Sequence, residues 1–257
     1  MAQANHFWTP GTGSHSKVGV LGQLGPTYDH EDVVCHAWTA ILGEYFIRFL
    51  PLGQHSYSID TQAYRGPRPG FQSEHKPDVV VVKMQTTVAV AGGPPVTVSR
   101  DILWVECKAP NHDTPNGWKN LIEQASTRLA AAHPNRMLFV ISGIGLKWMI
   151  FKWDPIAGAT AGATASPLQV LASNPGQAWT LRPELRYDPT VPGQSHVVAR
   201  GNNPVADLID TSLAYSLDYW TQYQGQVLNW PALRLLEAWI VHILATNYPG
   251  DNPPAFP

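Results

Sequence analysis

Two carboxylates and an ammonium stand at the ends of two apolar segments. Asp78 precedes the first segment, and Glu106 and Lys108 end the second. Both segments are rich in β-branched residues, which favour strands, and the stretch between them at 91–95 (AGGPP) is typical of a hairpin turn. Because the open ends of a hairpin lie side by side, the sequence predicts that the three charged side chains converge.

A strand register follows if Val90 faces Val96 across the turn and no bulge intervenes. Counting back along the antiparallel pair then sets Asp78 opposite Lys108. Residues directly opposite share a face of the sheet, and so do Glu106 and Lys108, which are two residues apart. A shift of one residue would turn Asp78 to the other face.

Such a cluster suits a hard divalent cation. Two neighbouring carboxylates repel each other, which raises the pKa of one of them unless they share a cation. Mg²⁺ takes oxygen ligands, typically one or two carboxylates, and leaves positions for waters and phosphate oxygens. A bound Mg²⁺ activates water and neutralises charge on a phosphoryl group, while Lys108 would position the water and stabilise the transition state. The alternative is that Asp78 begins a strand and Glu106–Lys108 is a solvated strand end.

The elements that would position the cluster are predicted from hydrophobic periodicity and breaker residues. Segments such as 79–82 would place apolar side chains on both faces of a strand, which is typical of central strands covered on both sides. The predicted order is a helix over Tyr28–Leu50, a loop over 52–76, strands beginning at Asp78 and Val96, a helix capped by Thr114 that ends near His133, and strands over Met137–Ile141 and Trp148–Trp153.

The pair Pro77-Asp78 followed by Glu106-Cys107-Lys108 resembles the signature of the PD-(D/E)XK, or restriction-endonuclease-like, nucleases. The predicted order over roughly 28–153 is similar to their αβββαβ core, with one strand not separately predicted. The resemblance implies an α/β fold with a central mixed sheet flanked by helices, here with a C-terminal helical extension. It implies that Asp78 and Glu106 bind Mg²⁺, with Mn²⁺ as a substitute, that the backbone carbonyl of Cys107 is a further ligand, and that Lys108 serves catalysis.

The resemblance also implies two supporting residues. Many members of the family carry a glutamate on the first helix that joins the metal site, and Glu44 or Glu31 could take that place. Glu31 lies near the predicted helix start and is interpreted as a dipole residue, which leaves Glu44 as the candidate ligand. Gln124 matches the glutamine of the RecB-like branch, where a tyrosine follows four residues on, but this chain has Arg128 there. Gln124 is equally typical of a helix surface, and Arg128 either contacts phosphates or forms solvated surface.

The expected partner is nucleic acid, with DNA favoured as the substrate of an endonuclease or exonuclease. A basic group in the predicted loop, Arg65, Arg68 and Lys76, either contacts phosphates or forms solvated surface. The formal net charge of −2 counts against a protein that simply coats nucleic acid, which would be strongly basic. It favours the alternative function, a non-catalytic nuclease-like fold that serves as a binding or structural protein. The intact set of Asp, Glu and Lys favours catalysis.

Three regions are predicted: an irregular arm over 1–27, the nuclease-like core over 28–156, and a loop-rich extension over 157–257 with helices near 204–222 and 231–247 that pack on the core. The two cysteines, Cys35 and Cys107, imply no disulfide framework. No apolar run reaches the roughly 18 residues of a membrane span, and the first residues lack the apolar centre of a signal peptide. We therefore expect no membrane partner and an intracellular protein, cytoplasmic or nuclear, that is compatible with a homodimer.

Overall fold

A mixed β-sheet runs through the centre of the computed structural model, and helices cover both of its faces. The structure describes residues 6–46, 55–62, 76–88, 95–155, 168–170, 185–187, 197–199, 214–223, 226–227 and 229–246. The helices within these ranges are α1 (Gly13–Leu24), α2 (Asp32–Phe46), α3 (Pro115–Ala132) and α4 (Trp230–Ala245), and a 3-10 turn spans Pro110–His112.

The central sheet has six strands in sequential order and a short strand paired beside the fifth. The six are β1 (His55–Thr61), β2 (Val79–Val88), β3 (Pro95–Lys108), β4 (Leu138–Ile144), β5 (Lys147–Trp153) and β6 (Leu168–Val170). The remaining strands are β7 (Leu185–Tyr187), β8 (Val197–Ala199), β9 (Tyr215–Ser216), which pairs with β5, β10 (Gln222–Tyr223) and β11 (Gln226–Val227).

Helix α3 connects β3 and β4, which are neighbouring strands at the centre of the sheet. β1, β2 and β3 form an antiparallel meander. β4 then lies parallel to β3, since α3 crosses over the sheet between them, and β5 returns antiparallel to β4. The carboxyl ends of β3 and β4 therefore meet at one edge, where β3 ends at Lys108.

Two hydrophobic cores lie on opposite faces of the sheet. Alternate residues of β2, such as Val79 and Val81, pack with α2 and α4 on one face, and Val80 and Val82 pack with α3 on the other. Since both faces are buried there, the first part of β2, residues 79–82, is a continuous apolar run. The prediction of central strands is confirmed, and so are the α3 helix with its Thr114 cap and the strands β4 and β5.

The predicted loop over 52–76 contains a strand that the sequence did not predict. Residues 55–61 form β1, which pairs with β2 along its whole length. Its sequence alternates, with Tyr57 and Ile59 packed against the α2 core between polar residues. An outer strand with one polar face carries few apolar residues, so its signal is the period of two rather than hydrophobicity.

The prediction of an irregular arm over 1–27 is wrong, because α1 occupies 13–24. Glycines normally weaken helices, by about 1 kcal/mol each in the interior. Here they allow close packing: a Cβ at Gly22 would collide with the ring of Trp220, and one at Gly19 would lie 2.9 Å from the Tyr219 hydroxyl. The helix is thus favoured by contacts more than 190 residues away along the chain, which local propensity does not register.

The two predicted C-terminal helices have different outcomes. The second is confirmed as α4, whose buried Leu236, Trp239 and Ile240 pack on the core beside α2. The first, over 204–222, is wrong for its described part, 214–222, which holds β9, bends and the start of β10. Leu217 is fully buried there. This segment therefore contributes an apolar side chain to the core in an extended rather than a helical conformation.

A tight contact between α2 and β4 gives a prediction for stability. A Cβ at Gly143 would collide with the indole Nε1 of the fully buried Trp38. We expect Gly143→Ala to lower the free energy of unfolding by about 1–3 kcal/mol, as overpacking of a filled core does. Urea denaturation would measure the loss. Gly13→Ala is the matched control, because a Cβ there meets open space, and an equal effect of both changes would contradict the prediction.

Candidate functional site

The hairpin register near the turn differs from the predicted one. Val96 faces Thr87 rather than Val90, so the predicted register is wrong by three residues at this end. An odd shift alone would turn Asp78 away from the face of Glu106.

A β-bulge restores the predicted face. Val82 faces Asp101 but Val81 faces Leu103, so Ile102 is an extra residue on β3. Beyond the bulge the pairing continues to Val79 and Val105, and the next step sets residue 78 opposite 106. The predicted partner of Asp78, Lys108, is thus replaced by Glu106, two residues earlier and on the same face of β3.

The Asp78 carboxylate closes the open end of the β2–β3 pair. Its Oδ2 accepts a hydrogen bond of 2.7 Å from the backbone N–H of Cys107. Burial raises the pKa of Asp78, and the charge of Glu31 raises this pKa further, while the Cys107 hydrogen bond and the cations of Lys108 and Arg128 act against the rise. These are the charges that surround one site.

Glu106 is a fully buried carboxylate whose hydrogen bonding is half complete. It has no exposed surface, and its Oε2 accepts from Nη1 of Arg128. Within the described residues, its Oε1 is buried without a hydrogen-bond partner. Burial, and then the negative charge of Asp78, raise the pKa of Glu106 to about 8, although the cations of Arg128 and Lys108 oppose this. Because burial disfavours the ionised form of this carboxyl, a cation beside the unpartnered oxygen would stabilise the carboxylate.

Helix α3 supplies the guanidinium that faces Glu106. Arg128 lies one turn beyond Gln124 on α3, and its side chain is only 15% exposed. With its amide oxygen turned toward Arg128, Gln124 accepts from Nη1 at 3.1 Å and from Nη2 at 2.5 Å. Gln124 is therefore brought to the site as the residue that positions Arg128.

The N-terminus of α2 supplies the acidic partner of Lys108. Glu31 precedes α2, and its backbone carbonyl accepts the first hydrogen bonds of the helix, from Val34 and Cys35. Its side chain, 44% exposed, accepts from Lys108 Nζ at 3.0 Å, and Lys108 itself is 22% exposed. The prediction of a helix-start residue is correct for the backbone, while the side chain of Glu31 also belongs to the site.

Glu44 is not part of this cluster. It lies more than three turns further along α2, about 20 Å from Glu31 by the rise of the helix. Its carboxylate accepts from Ser14 Oγ of α1 at 3.2 Å. The structure therefore does not bring the predicted ligand Glu44 to the cluster. Of the two glutamates, Glu31 reaches it through its contact with Lys108, because α2 directs only its N-terminus toward the end of the hairpin.

Cys107 and Cys35 are the remaining groups beside Asp78. Cys107 pairs with Gly143 of β4, and its thiol is fully buried on the α2 face of β3. Both cysteines are free, and their sulfurs lie within 4.8 Å of each other and of an Asp78 carboxylate oxygen. Burial and the neighbouring Cys35 raise the pKa of the Cys107 thiol.

The predicted phosphate contacts lie mostly outside the described residues. Arg65 and Arg68 fall in a range that the structure does not describe, and Lys76 is half-buried two residues before Asp78. Their role stays a prediction.

Sequence reasoning considered Arg128 only as a phosphate contact, and it did not single out Cys35 as a site residue. Arg128 stands four residues after Gln124, a spacing that places both on one side of α3, and this was the available signal. Cys35 gave no signal, because nothing in the sequence relates it to Cys107.

Comparisons of the chain with protein family models, curated proteins and solved structures give no match. Among the helices that the structure describes, none combines the length and the apolar character that crossing a membrane requires. The interpretation of the site therefore depends on its own geometry and charges.

The buried carboxylate predicts a pH-dependent stability in the metal-free protein. Between the ordinary pKa of 4.5 and the raised value of about 8, folded Glu106 keeps a proton that the unfolded chain loses. Its contribution is complete below pH 4.5 and is lost as the pH rises through about 8. Since one pKa unit corresponds to about 1.4 kcal/mol, several kcal/mol are at stake.

Replacement of Glu106 by Gln removes this titration. We expect the stability of Glu106→Gln relative to the parent to increase from pH 5 to pH 9, measured by urea denaturation with a chelator present. Glu123→Gln, a carboxylate of α3 outside the site, is the control and should keep the parent's slope. A constant difference between Glu106→Gln and the parent would contradict the prediction.

Proposed function

We propose that this chain is a Mg²⁺-dependent nuclease that hydrolyses phosphodiester bonds, with DNA as the favoured substrate. The buried Glu106 carboxylate carries the proposal. One of its oxygens has no hydrogen-bond partner among the described residues, and burial and the negative charge of Asp78 raise its pKa. A folded protein retains such a group at a cost, and ligand binding is the usual reason for it.

The order of the elements supports the resemblance to the PD-(D/E)XK nucleases. Helix α2, the antiparallel strands β1, β2 and β3, helix α3, and β4 parallel to β3 follow each other as in the αβββαβ core. β1 is the strand that the sequence did not separately predict. Since one fold hosts many functions, the charged site and not the topology has to carry the activity.

The donors present fit Mg²⁺. Asp78 and Glu106 offer carboxylate oxygens, the ligands that this hard cation prefers, and the resemblance adds the backbone carbonyl of Cys107. When bound, Mg²⁺ makes a coordinated water more acidic and neutralises charge on the phosphate. We expect Mn²⁺ to substitute for it.

Lys108 would act on the attacking water and on the charge that develops at phosphorus. Its ammonium is held at 3.0 Å from Glu31 and keeps 22% exposure, so it is both oriented and accessible to substrate. A fixed cation aimed at a site of developing negative charge stabilises the transition state. Glu31 then serves as the residue that positions Lys108.

Arg128 would change partners in the active site. In the metal-free protein it donates a hydrogen bond to Glu106, which keeps its proton up to a pH of about 8. Gln124 accepts from both of its terminal nitrogens, so the guanidinium stays in place when Glu106 turns to a metal ion. Guanidinium groups bind phosphate in a bidentate manner, and Arg128 would therefore contact the scissile phosphate. Further along the substrate, Arg65, Arg68 and Lys76 would contact the backbone.

A second candidate function is a non-catalytic nuclease-like fold that binds nucleic acid or serves a structural role. The Arg128–Glu106 ion pair favours it, since an internal cation here satisfies one carboxylate oxygen without a metal. The pattern of the RecB-like branch has a tyrosine at the place of Arg128. Metal binding and cleavage have to be measured separately to distinguish the two functions.

The roles of Asp78 and Lys108 can be separated by substitution. Asp78→Asn keeps an acceptor for the Cys107 N–H but loses the charge, so we expect weaker Mn²⁺ binding and loss of cleavage together. Lys108→Met keeps both carboxylates, so Mn²⁺ binding should persist while cleavage falls by about 10²-fold or more. Calorimetry with Mn²⁺ and plasmid nicking assays would measure both quantities.

Lys147→Met is the matched control for Lys108→Met. Lys147 forms its ion pair with Asp113 at 2.7 Å, outside the proposed site, and the variant should cleave like the parent. Parent-like cleavage by Lys108→Met would contradict the mechanism. If the parent neither binds Mn²⁺ nor cleaves plasmid, single-stranded DNA or RNA, the non-catalytic function is the better interpretation.

A further inference from the structure

We propose that Cys35, Cys107 and Asp78 form a second metal site, for a thiophilic divalent cation such as Zn²⁺. The three residues come from three elements: the first turn of α2, the end of β3, and the residue before β2. Their two sulfurs and an Asp78 carboxylate oxygen all lie within 4.8 Å of one another. Two thiols and a carboxylate are a donor set that zinc takes in proteins.

The spacing of the donors fits one ion. With Zn–S distances of about 2.3 Å and Zn–O distances of about 2.1 Å, the ligands of a tetrahedral ion lie roughly 3.6–3.8 Å apart. No pair of donors in this cluster exceeds 4.8 Å. Each pair therefore has to approach by about 1.2 Å at most, which small side-chain rotations provide. The fourth position would take water.

The cluster is separate from the proposed Mg²⁺ site except for Asp78. Cys107 packs in the α2 core, whereas Glu106 pairs with Arg128 of α3 on the opposite face of β3. Sulfur donors thus lie on one face and the Glu106 oxygens on the other. Asp78, at the end of the hairpin, lies beside the two sulfurs, and its negative charge acts on Glu106.

Access and charge suit the binding of a cation. Cys107 is fully buried, but Cys35 is partly exposed, so an ion can enter past α2. The N-terminus of α2 favours negative charge near Cys35. Binding requires thiolates, so two thiol protons leave to solvent for each ion bound. Thiolate ligands select Zn²⁺ or Cd²⁺ and disfavour Mg²⁺.

The site has a consequence that rests on the proposed nuclease function. A zinc ion that takes Asp78 removes a ligand from the Mg²⁺ site, so Zn²⁺ should inhibit cleavage in competition with Mg²⁺. The soft-metal site itself does not depend on that function, since its donors and their spacing are independent of catalysis.

Titration of the reduced, full-length protein with Cd²⁺ tests the site. Cadmium bound to thiolates gives an ultraviolet charge-transfer band, and we expect the parent to saturate at one ion per chain. Cys35→Ala and Cys107→Ser should each weaken binding by about 10- to 100-fold or more, since even the loss of an outer partner of a metal ligand costs that much. Asp78→Asn should weaken binding but keep the thiolate band.

Glu123→Gln is the matched control, because it alters a carboxylate of α3 outside both proposed sites and should bind Cd²⁺ like the parent. The absence of a saturable band in the reduced parent, or parent-like Cd²⁺ binding by Cys35→Ala, would overturn the inference. A Cd²⁺-dependent rise in Tm for the parent that Cys35→Ala lacks would support it and would also show that the variant is folded.

Failure of this inference is distinguishable from failure of the nuclease proposal. The cadmium band is measured without substrate, so it reports on the sulfur site even if the chain cleaves nothing. In cleavage assays, Zn²⁺ inhibition is compared with the rate of each protein without Zn²⁺. Inhibition that is lost in Cys35→Ala supports the competition for Asp78, and equal inhibition of both proteins contradicts it.

Discussion

The burial of the Glu106 carboxylate is the constraint on which the candidate site depends. A carboxylate without exposed surface destabilises the folded chain unless its charge is compensated. Arg128 compensates one oxygen, and Gln124 holds Arg128, so the docking of α3 against β3 determines the electrostatics of the site. The other oxygen has no partner among the described residues. A divalent cation shared with Asp78 would complete the compensation.

The meeting of the two carboxylates depends on one extra residue in β3. Before the bulge at Ile102, Asp101 pairs with His133 at the α3 side of the sheet. Beyond it the even-numbered residues face α3, which turns Glu106 toward Arg128 and Cys107 toward α2. Without the extra residue, Glu106 would lie in the apolar α2 core. The bulge therefore determines that the Glu106 oxygens lie on the α3 face and the Cys107 sulfur lies on the α2 face at the end of this strand.

The sequence predicts those parts of the molecule that local pattern determines. The apolar central strands, the Thr114 cap and the stripe of α3 are local, and all are confirmed. The bulge could not be predicted, because Ile102 continues the same apolar run as Leu103, Trp104 and Val105. The convergence of Asp78 with Glu106 was expected from a register that is wrong by three residues near the turn. The extra residue at the bulge reduces this error to two residues at Asp78, and an even shift keeps the side chain on the same face. The glycine-containing α1 and the Glu31 contact depend on distant residues, which periodicity does not report.

Asp78 lies near both faces of the sheet because it precedes the first residue of β2. A side chain within β2 would be committed to one face by the alternation of the strand. Asp78 precedes β2 and anchors Oδ2 on the Cys107 N–H, so its carboxylate lies at the edge of the sheet. From there it influences the pKa of Glu106 and also approaches both thiols. Cations at the two proposed sites would compete for this one carboxylate, and that competition would follow from the position of the residue rather than from any movement of the fold.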